Sequence, residues 1–500
     1  MSYVMGIDLG TGSVKVSVMD KAGKTVAQES SNLTLVQEQP GYSEQNPEDW
    51  VTATTVAIVN LALKDHVNLQ DVEGVSYSGQ MHGLVLLGAD QQVLRPAILW
   101  DDTRTTEQCK EIMDICGQDF VKITKNLPLE GFTLPKILWV KENEPQLFAQ
   151  AKTFLLPKDY LRYRMTGDLS MEYSDAAGTV LLDVVNKTWS KEVCDKLGLD
   201  IGLCPKLVSS LDQVGTISEH YAQYSGMSTS TKVFAGAADN AAGAIGSDIM
   251  DPNKVLISTG TSGVVLRYED KPNDYQGQLH FFNHAIPDKF YSMGVTLAAG
   301  HSLKWLYQTF GGEEDSLDAF VKTANDAPVG AHGLIFTPYI VGERTPYADS
   351  KIRGSFIGVS SINTKADFVR SVLEGVIFSY QDLLNIYHEH GQHFDTVYSI
   401  GGGAKSPLWL QIQADVFNKK VSTIENDQEP GLGAAMIAAV GVKWFSNLED
   451  CADHYVKKGK SYWPIPENVE KYQKLYQIYS QVYGQTKEMN HELIDFRNND

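Results

Sequence analysis

The sequence predicts an α/β protein of two similar lobes, each turning a glycine-rich hairpin toward a phosphate. Three observations carry that prediction. Tyr3-Val-Met-Gly-Ile-Asp-Leu-Gly-Thr-Gly-Ser-Val-Lys-Val-Ser-Val18 reads as strand, sharp turn and strand. Lys254-Val-Leu-Ile-Ser-Thr-Gly-Thr-Ser-Gly-Val-Val-Leu266 repeats it half a chain later, with Gly260-Thr261-Ser262-Gly263 answering Gly10-Thr11-Gly12-Ser13. Val397-Tyr-Ser-Ile400 then runs into Gly401-Gly402-Gly403-Ala404 and a helix start, where N–H groups and the helix dipole face an anion.

In the first hairpin, Val4 to Ile7 enter and Asp8 ends the strand. Gly10, Thr11, Gly12 and Ser13 turn, and Val14, Val16 and Val18 alternate on the way out with Lys15 and Ser17 opposite. Glycines at such a tip let the backbone approach a ligand closely. The hydroxyls suit a phosphate. One carboxylate beside them suits magnesium, which is held by one or two carboxylates plus substrate phosphates.

Five hundred residues allow two to four domains. The net charge of −20 argues against a nucleic-acid or anionic-membrane partner. Five cysteines with no CxxC pair suit reduced thiols in a cytoplasm better than a disulfide framework or a zinc site. The N-terminus reads directly as a strand, so no signal peptide is expected, and no apolar run approaches the length of a membrane helix. A short polar tail after Met489 is the one segment of disordered character.

Along the chain, Asn46 or Pro47 starts a helix to Leu63, with Glu48 and Asp49 in its first turn. Val72 to Tyr77 is a buried strand leading into Ser78-Gly79-Gln80-Met81-His82-Gly83, where a His and a Gln between glycines have the look of site residues. Ile98 to Arg104 is a strand end crowded with charge. Trp100, Asp101, Asp102 and Arg104 line a polar cleft or form a structural ion-pair network. Thr133 to Lys141 and Pro157 onward are helices, and Asp175 to Thr179 is a small-residue turn. Asp239-Asn240 follows a strand and precedes small residues. As an N-cap this Asp would only accept backbone N–H bonds; as a base it would point into a cleft, and the small neighbours favour the second reading. Gly300 to Trp305 begins a helix, and Gly342 to Pro346 is a polar loop. Thr364 and Asp367 cap a long helix to Tyr387 whose trailing histidines, His388, His390 and His393, suit a solvated helix end rather than a metal. Gly459-Lys460-Ser461 lacks the glycines of a P-loop, and no GxGxxG follows a strand.

These parts resemble the FGGY carbohydrate kinases. Gly131-Phe-Thr-Leu-Pro-Lys-Ile-Leu-Trp-Val-Lys-Glu-Asn143 matches one signature of that family. Gly354-Ser-Phe-Ile-Gly-Val359 with Asp367-Phe-Val-Arg-Ser-Val-Leu-Glu374 matches the other. The resemblance implies two actin-like (ribonuclease H-like) lobes with an ATP and sugar cleft between them. It puts the first lobe at residues 1–246 and the second at 247–500, the terminal helix packing back on the first. Within the family, Ser78 to Gly83, Arg95 to Trp100, Pro157 to Tyr160, Asp239 to Gly243 and Gly342 to Pro346 are most similar to the branch that phosphorylates D-xylulose at its primary 5-hydroxyl.

Carried over residue by residue, the resemblance implies Asp239 as general base and Asp8 as its catalytic partner, the two also holding Mg2+. Thr11, Gly12, Ser13 and Lys15 would face the transferred phosphate from one lobe, and Gly260 and Thr261 from the other. Gly300, Lys304, Gly402, Gly403 and Ala404 would border ATP. Met81, His82, Trp100, Asp239 and Asn240 would contact the sugar. A homodimer is common in the family. Asp101 and Thr103 depart from the branch's usual Asn and Gly, which leaves ribulose, L-xylulose and gluconate as alternative substrates. An actin-like or Hsp70-like ATPase is the alternative of another class, and the sugar-side motifs argue against it.

Overall fold

A computed structural model describes residues 2–312, 316–425 and 429–499. The chain forms two compact units, both discontinuous in sequence. The first comprises Met1–Met250, Tyr268–Tyr291 and Gln428–Val456; the second comprises Asp251–Arg267, Ser292–Asp427 and Lys457–Asp500.

The first unit is built on a sheet in the order Gln213–Thr216, Lys232–Phe234, Val72–Gly79, Tyr3–Leu9, Ser13–Met19, Thr25–Asn32. Tyr3–Leu9 pairs antiparallel with Ser13–Met19 and parallel with Val72–Gly79. Ala237–Ala238 also pairs parallel with Val72–Gly79, Ala237 opposite Ser78. The apolar alternation places Val14, Val16 and Val18 in the core. The helix Pro47–Leu63 begins as its sequence predicts, with the Asn46 side chain accepting from Glu48 N–H. Asp175–Gly178 belongs to a short helix, Tyr173–Gly178, rather than to a turn, because the Glu172 carboxylate accepts from the Ser174 and Asp175 N–H groups.

The helix Glu429–Gly441 packs on Asp239–Gly246 and on the strand Tyr3–Leu9 of the same unit. Small residues make that approach feasible. A Cβ on Gly433 would lie 1.9 Å from the Ala242 carbonyl oxygen, and one on Gly6 would lie 2.3 Å from the Gly431 oxygen.

In the second unit Gly263–Glu269 (as far as Arg267), Lys254–Thr259, Thr396–Gly401, Lys420–Ile424 and Lys458–Tyr462 lie side by side. The local order repeats that of the first unit: an antiparallel hairpin whose first strand pairs parallel with a later strand. The correspondence extends to register. Leu9 stands opposite Gly79, and Thr259 opposite Gly401. The hairpin loops differ by one residue, since Leu9 pairs with Val14 but Thr259 pairs with Gly263. The long helix Lys365–Glu389 carries the expected capping pair, with Thr364 N–H donating to the Asp367 carboxylate at 2.8 Å.

Two expectations about the C-terminus meet different facts. The helix Pro466–Asn499 continues through the polar stretch after Met489. Its tyrosines pack within the second unit. Tyr472 donates to Glu374 at 2.7 Å, and Tyr476 donates to Asp382 and accepts from Asn385. The late segment that joins the first unit is instead Gln428–Val456. Gly459-Lys460-Ser461 lies in the strand Lys458–Tyr462, not in a phosphate loop. Among the described residues no helix is long and apolar enough to cross a membrane.

Candidate active site

Asp8, Ser78 and Asp239 are brought together at the C-terminal ends of neighbouring parallel strands, where open α/β sheets bind ligands. Asp8 lies opposite Ser78 in the ladder and opposite Lys15 in the hairpin. Asp239 is the first residue of the helix Asp239–Gly246, so it is not the N-cap. Its carboxylate accepts from the Asn240 N–H at 2.7 Å and from the Asn240 side-chain amide at 2.9 Å. Burial, and then the Asp8 carboxylate, push the Asp239 carboxyl up to about 7 despite those bonds. Burial also raises Asp8, against the lowering pull of Ser78 and Lys15.

Beneath this pair lies an ion network with no exposed side-chain surface. Lys158 Nζ reaches Asp159 at 2.8 Å, Asp175 at 3.1 Å and Glu172 at 3.4 Å; Arg162 joins Asp159 and donates to the Ala235 carbonyl. The Ser174 hydroxyl accepts from Ala238 N–H, which ties the network to the strand end before Asp239.

The first hairpin's tip is tied down on one side. Thr11 Oγ1 donates to Gln80 Oε1 at 3.0 Å and accepts from Trp100 Nε1 at 2.9 Å, while Gln45 donates to the Thr11 carbonyl and accepts from Gln80 and Trp50. The Thr11 hydroxyl thus braces the loop, and Gly12 is the exposed residue of the tip. Gln45 and Gln80 were not singled out from sequence for this role, because their contacts with Thr11 and with each other join segments 34 to 69 residues apart. The Asp102–Arg104 part of the charged strand end is structural. Asp102 is fully buried, pairs with Arg104 at 2.6 Å and accepts from Ser43 N–H. Trp100 is 45% exposed.

Met81 stands beside Asn240. The Asn240 amide and the Tyr291 hydroxyl both point at the Met81 sulfur, at 3.8 and 3.7 Å. His82 Nδ1 lies 2.7 Å from the Gly178 carbonyl oxygen, which only accepts. That nitrogen therefore carries a proton. Phe132 packs edge-on at 4.7 Å and Phe282 at 6.2 Å. Phe282 and Tyr291 arrive from a segment 200 residues downstream with no motif to mark them.

The second unit contains a pocket of about 480 Å3 lined by Thr259, Gly260, Thr261, Gly300, His301, Leu303, Lys304, Gln308, Leu317, Gly402, Gly403 and Trp409. It brings together six residues expected from sequence: Gly260, Thr261, Gly300, Lys304, Gly402 and Gly403. Ala404, in the same turn, is not among the lining residues. The loop Gly260–Ser262 is pinned to the helix Gly300–Phe310 by Ala299, Gly300 and His301 N–H groups, which donate to Thr261 and Gly260 carbonyls. Gly300 is required there, since a Cβ would sit 2.5 Å from the Gly260 oxygen. Gly401 has φ 78° and backs onto the Thr259 carbonyl.

The pattern of the N-terminal domain of the FGGY family of carbohydrate kinases matches residues 3–246, and that of its C-terminal domain matches residues 255–442. The chain belongs to this family.

The FGGY relatives include a xylulose kinase of Bacillus subtilis, 51% identical over the whole length of both chains. A solved xylulose kinase from Lactobacillus acidophilus superposes with a TM-score of 0.93 at 27% identity, over 99% of this chain and 100% of that one. A solved gluconate kinase from the same organism superposes with a TM-score of 0.92 at 28% identity, over 97% and 98%. The FGGY fold is therefore shared across sugar substrates, and the chain is a carbohydrate kinase. Among the described residues no cluster of three or more His, Cys, Asp or Glu is poised to hold a metal. His388 and His393, set aside as ligands on sequence grounds, are exposed.

Proposed function

We propose that the chain transfers the γ-phosphoryl group of ATP to the primary 5-hydroxyl of D-xylulose, giving D-xylulose 5-phosphate and ADP. The observation that supports this most is the Asp239 carboxyl. It heads a helix beside Asp8, is held by Asn240, and is pushed up to about 7, near the operating pH where a general base is most effective. Asp239 takes the proton from O5 as that oxygen attacks the γ-phosphorus, and the bond to the β–γ bridging oxygen breaks as ADP leaves. Met81, His82, Asn240 and Trp100 hold the ketose. In this reading His82 Nε2 accepts a sugar hydroxyl while Nδ1 stays on Gly178.

Gly12, Ser13 and Lys15, with Thr11 bracing the turn, face the transferred phosphate, as Gly260 and Thr261 do in the second hairpin. The pocket at Gly300, Lys304, Gly402 and Gly403 takes the nucleotide, with Ala404 bordering it. The donor set fits magnesium. Asp8 and Asp239 repel each other, and a divalent cation relieves that repulsion while drawing its other ligands from phosphate oxygens and water. Bound there, the ion would neutralise charge on the phosphates. Phosphoryl transfer depends mainly on such positioning and charge stabilisation. Substrate identity follows the full-length likeness to xylulose kinases.

The test is ADP release with ATP and magnesium over D-xylulose, L-xylulose, D-ribulose, gluconate and glycerol. A strong preference for D-xylulose is expected. Turnover of gluconate alone would keep the carbohydrate-kinase chemistry and overturn the substrate.

A further inference from the structure

His82 sits in the left-handed backbone region, φ 68°, which a non-glycine residue adopts only where its surroundings enforce it. The enforcing contacts come from one turn of chain. The His82 carbonyl accepts from Lys136 Nζ at 3.0 Å and from the Thr133 hydroxyl at 3.1 Å, both in the first turn of the helix Thr133–Asn143. The same ammonium donates to the Gly131 carbonyl at 2.7 Å. Gly131 in turn lies against the backbone of Trp100; a Cβ there would be 2.5 Å from the Trp100 oxygen. One short segment, Gly131 to Lys136, thus grips the two loops that carry His82 and Trp100.

Lys136 is an expensive way to make that grip. It is fully buried, and both of its hydrogen bonds go to backbone carbonyls. Burial pushes its ammonium down to about 7, against the upward pull of Asp102, Asp101 and Cys109, with Arg104 adding to the depression. A leucine would fill the same space without the desolvation cost. The hydrogen bonds of Lys136 reach the site through the His82 backbone and, by way of Gly131, through the loop that carries Trp100.

We infer that Lys136 is a positioning residue for the sugar: by holding the His82 carbonyl it sets the direction in which the His82 ring presents Nε2. With the grip lost, the peptide of His82 relaxes toward negative φ and the ring swings off the Gly178 carbonyl. The sugar then loses its acceptor while the nucleotide pocket, built wholly from the second unit, is untouched. This rests on the reading that His82 contacts the sugar.

The experiment compares steady-state kinetics on D-xylulose and on ATP for Lys136→Met, Thr133→Val, His82→Ala and the two double variants with His82→Ala. Lys136→Met should raise the sugar KM about tenfold or more, and Thr133→Val a few-fold, with the ATP KM changed less than twofold. Added to His82→Ala, neither should raise the sugar KM further. A folded Lys136→Met enzyme with an unchanged sugar KM, or effects that multiply with His82→Ala, would overturn the inference. Should Lys136→Met not fold, the Thr133→Val cycle decides by the same criteria. A His82→Ala enzyme with a normal sugar KM would instead refute the reading of His82 as a sugar contact.

Discussion

Asp8, one residue before the end of its strand, and Asp239, directly after the strand Ala237–Ala238, flank the strand that carries Ser78, and the charge on Asp8 helps to hold the Asp239 carboxyl near 7. Two like charges at short range cannot both ionise at ordinary carboxylate pH. The consequences are measurable.

The first concerns the pH profile. In the proposed mechanism Asp239 acts as a base only when deprotonated. With magnesium bound between the carboxylates, the kcat/KM for sugar should fall about tenfold per pH unit below an acid limb at or under about 7 and level off above it. Asp8→Asn removes the repelling charge, so the residual activity should hold its plateau to lower pH. An acid limb that stays in place in Asp8→Asn would disconnect the two carboxylates.

The second concerns stability. A carboxyl whose folded pKa is raised penalises the folded state once it ionises. The penalty is absent below the ordinary carboxylate range, grows as pH rises, and is complete above about 7. Asp239→Asn keeps an acceptor oxygen for Asn240 and removes that penalty. It should abolish turnover while raising the melting temperature at pH 8 by about 2–4 °C, and should leave it unchanged near pH 4. Equal shifts at both pH values would show that ionisation is not the cause.

A third prediction separates glycines by what surrounds them. Gly433→Ala forces a methyl to 1.9 Å from the Ala242 carbonyl, where backbone meets backbone and neither yields. It should abolish soluble expression or cost more than about 3 kcal/mol. Gly484→Ala, in the terminal helix with open space around it, should stabilise by about 0.5–1 kcal/mol. Thermal unfolding of the two variants decides the matter.

The fourth concerns the nucleotide. In Gly300→Ala the new methyl meets the Gly260 oxygen at 2.5 Å and must push the Gly260–Ser262 loop away. The KM for ATP should rise about tenfold or more with the sugar KM nearly constant, measured by isothermal titration of ADP or by initial rates. A selective rise in sugar KM would contradict the placement of ATP in this pocket.

The buried ion network gives a fifth. Lys158→Met leaves Asp159, Glu172 and Asp175 without their shared cation in a site with no solvent. Removing one partner from such a set costs about 3–5 kcal/mol. Denaturant unfolding should show it, and Leu at an exposed position such as Lys110 should show almost nothing.

Much of this was legible along the chain because it rests on local chemistry. Asn46 caps the helix Pro47–Leu63, Thr364 and Asp367 cap Lys365–Glu389, and the twin hairpins follow from alternating valines around glycine turns. Each of these involves residues within a few positions of one another, so spacing alone encodes them. The pocket glycines Gly260, Gly300, Gly402 and Gly403 each stand at a strand end or helix start, which the local pattern marks, and at Gly300 and Gly403 a Cβ has no room.

Tertiary structure alone decided the rest. It made Thr11 a brace rather than an open hydroxyl by bringing Gln80 and Trp100 to it. It placed Phe282 and Tyr291 beside His82 and Met81. It sent Gln428–Val456 to the first unit and kept the terminal helix in the second. The pKa of Asp239 belongs to this class as well. Its residue type and helix position are local facts, but the desolvation and the Asp8 charge that move it exist only once three strands lie side by side. A sequence specifies which groups are available and how the backbone near them turns. Burial and charge coupling depend on distances between segments far apart in the chain, and only the folded structure sets those distances.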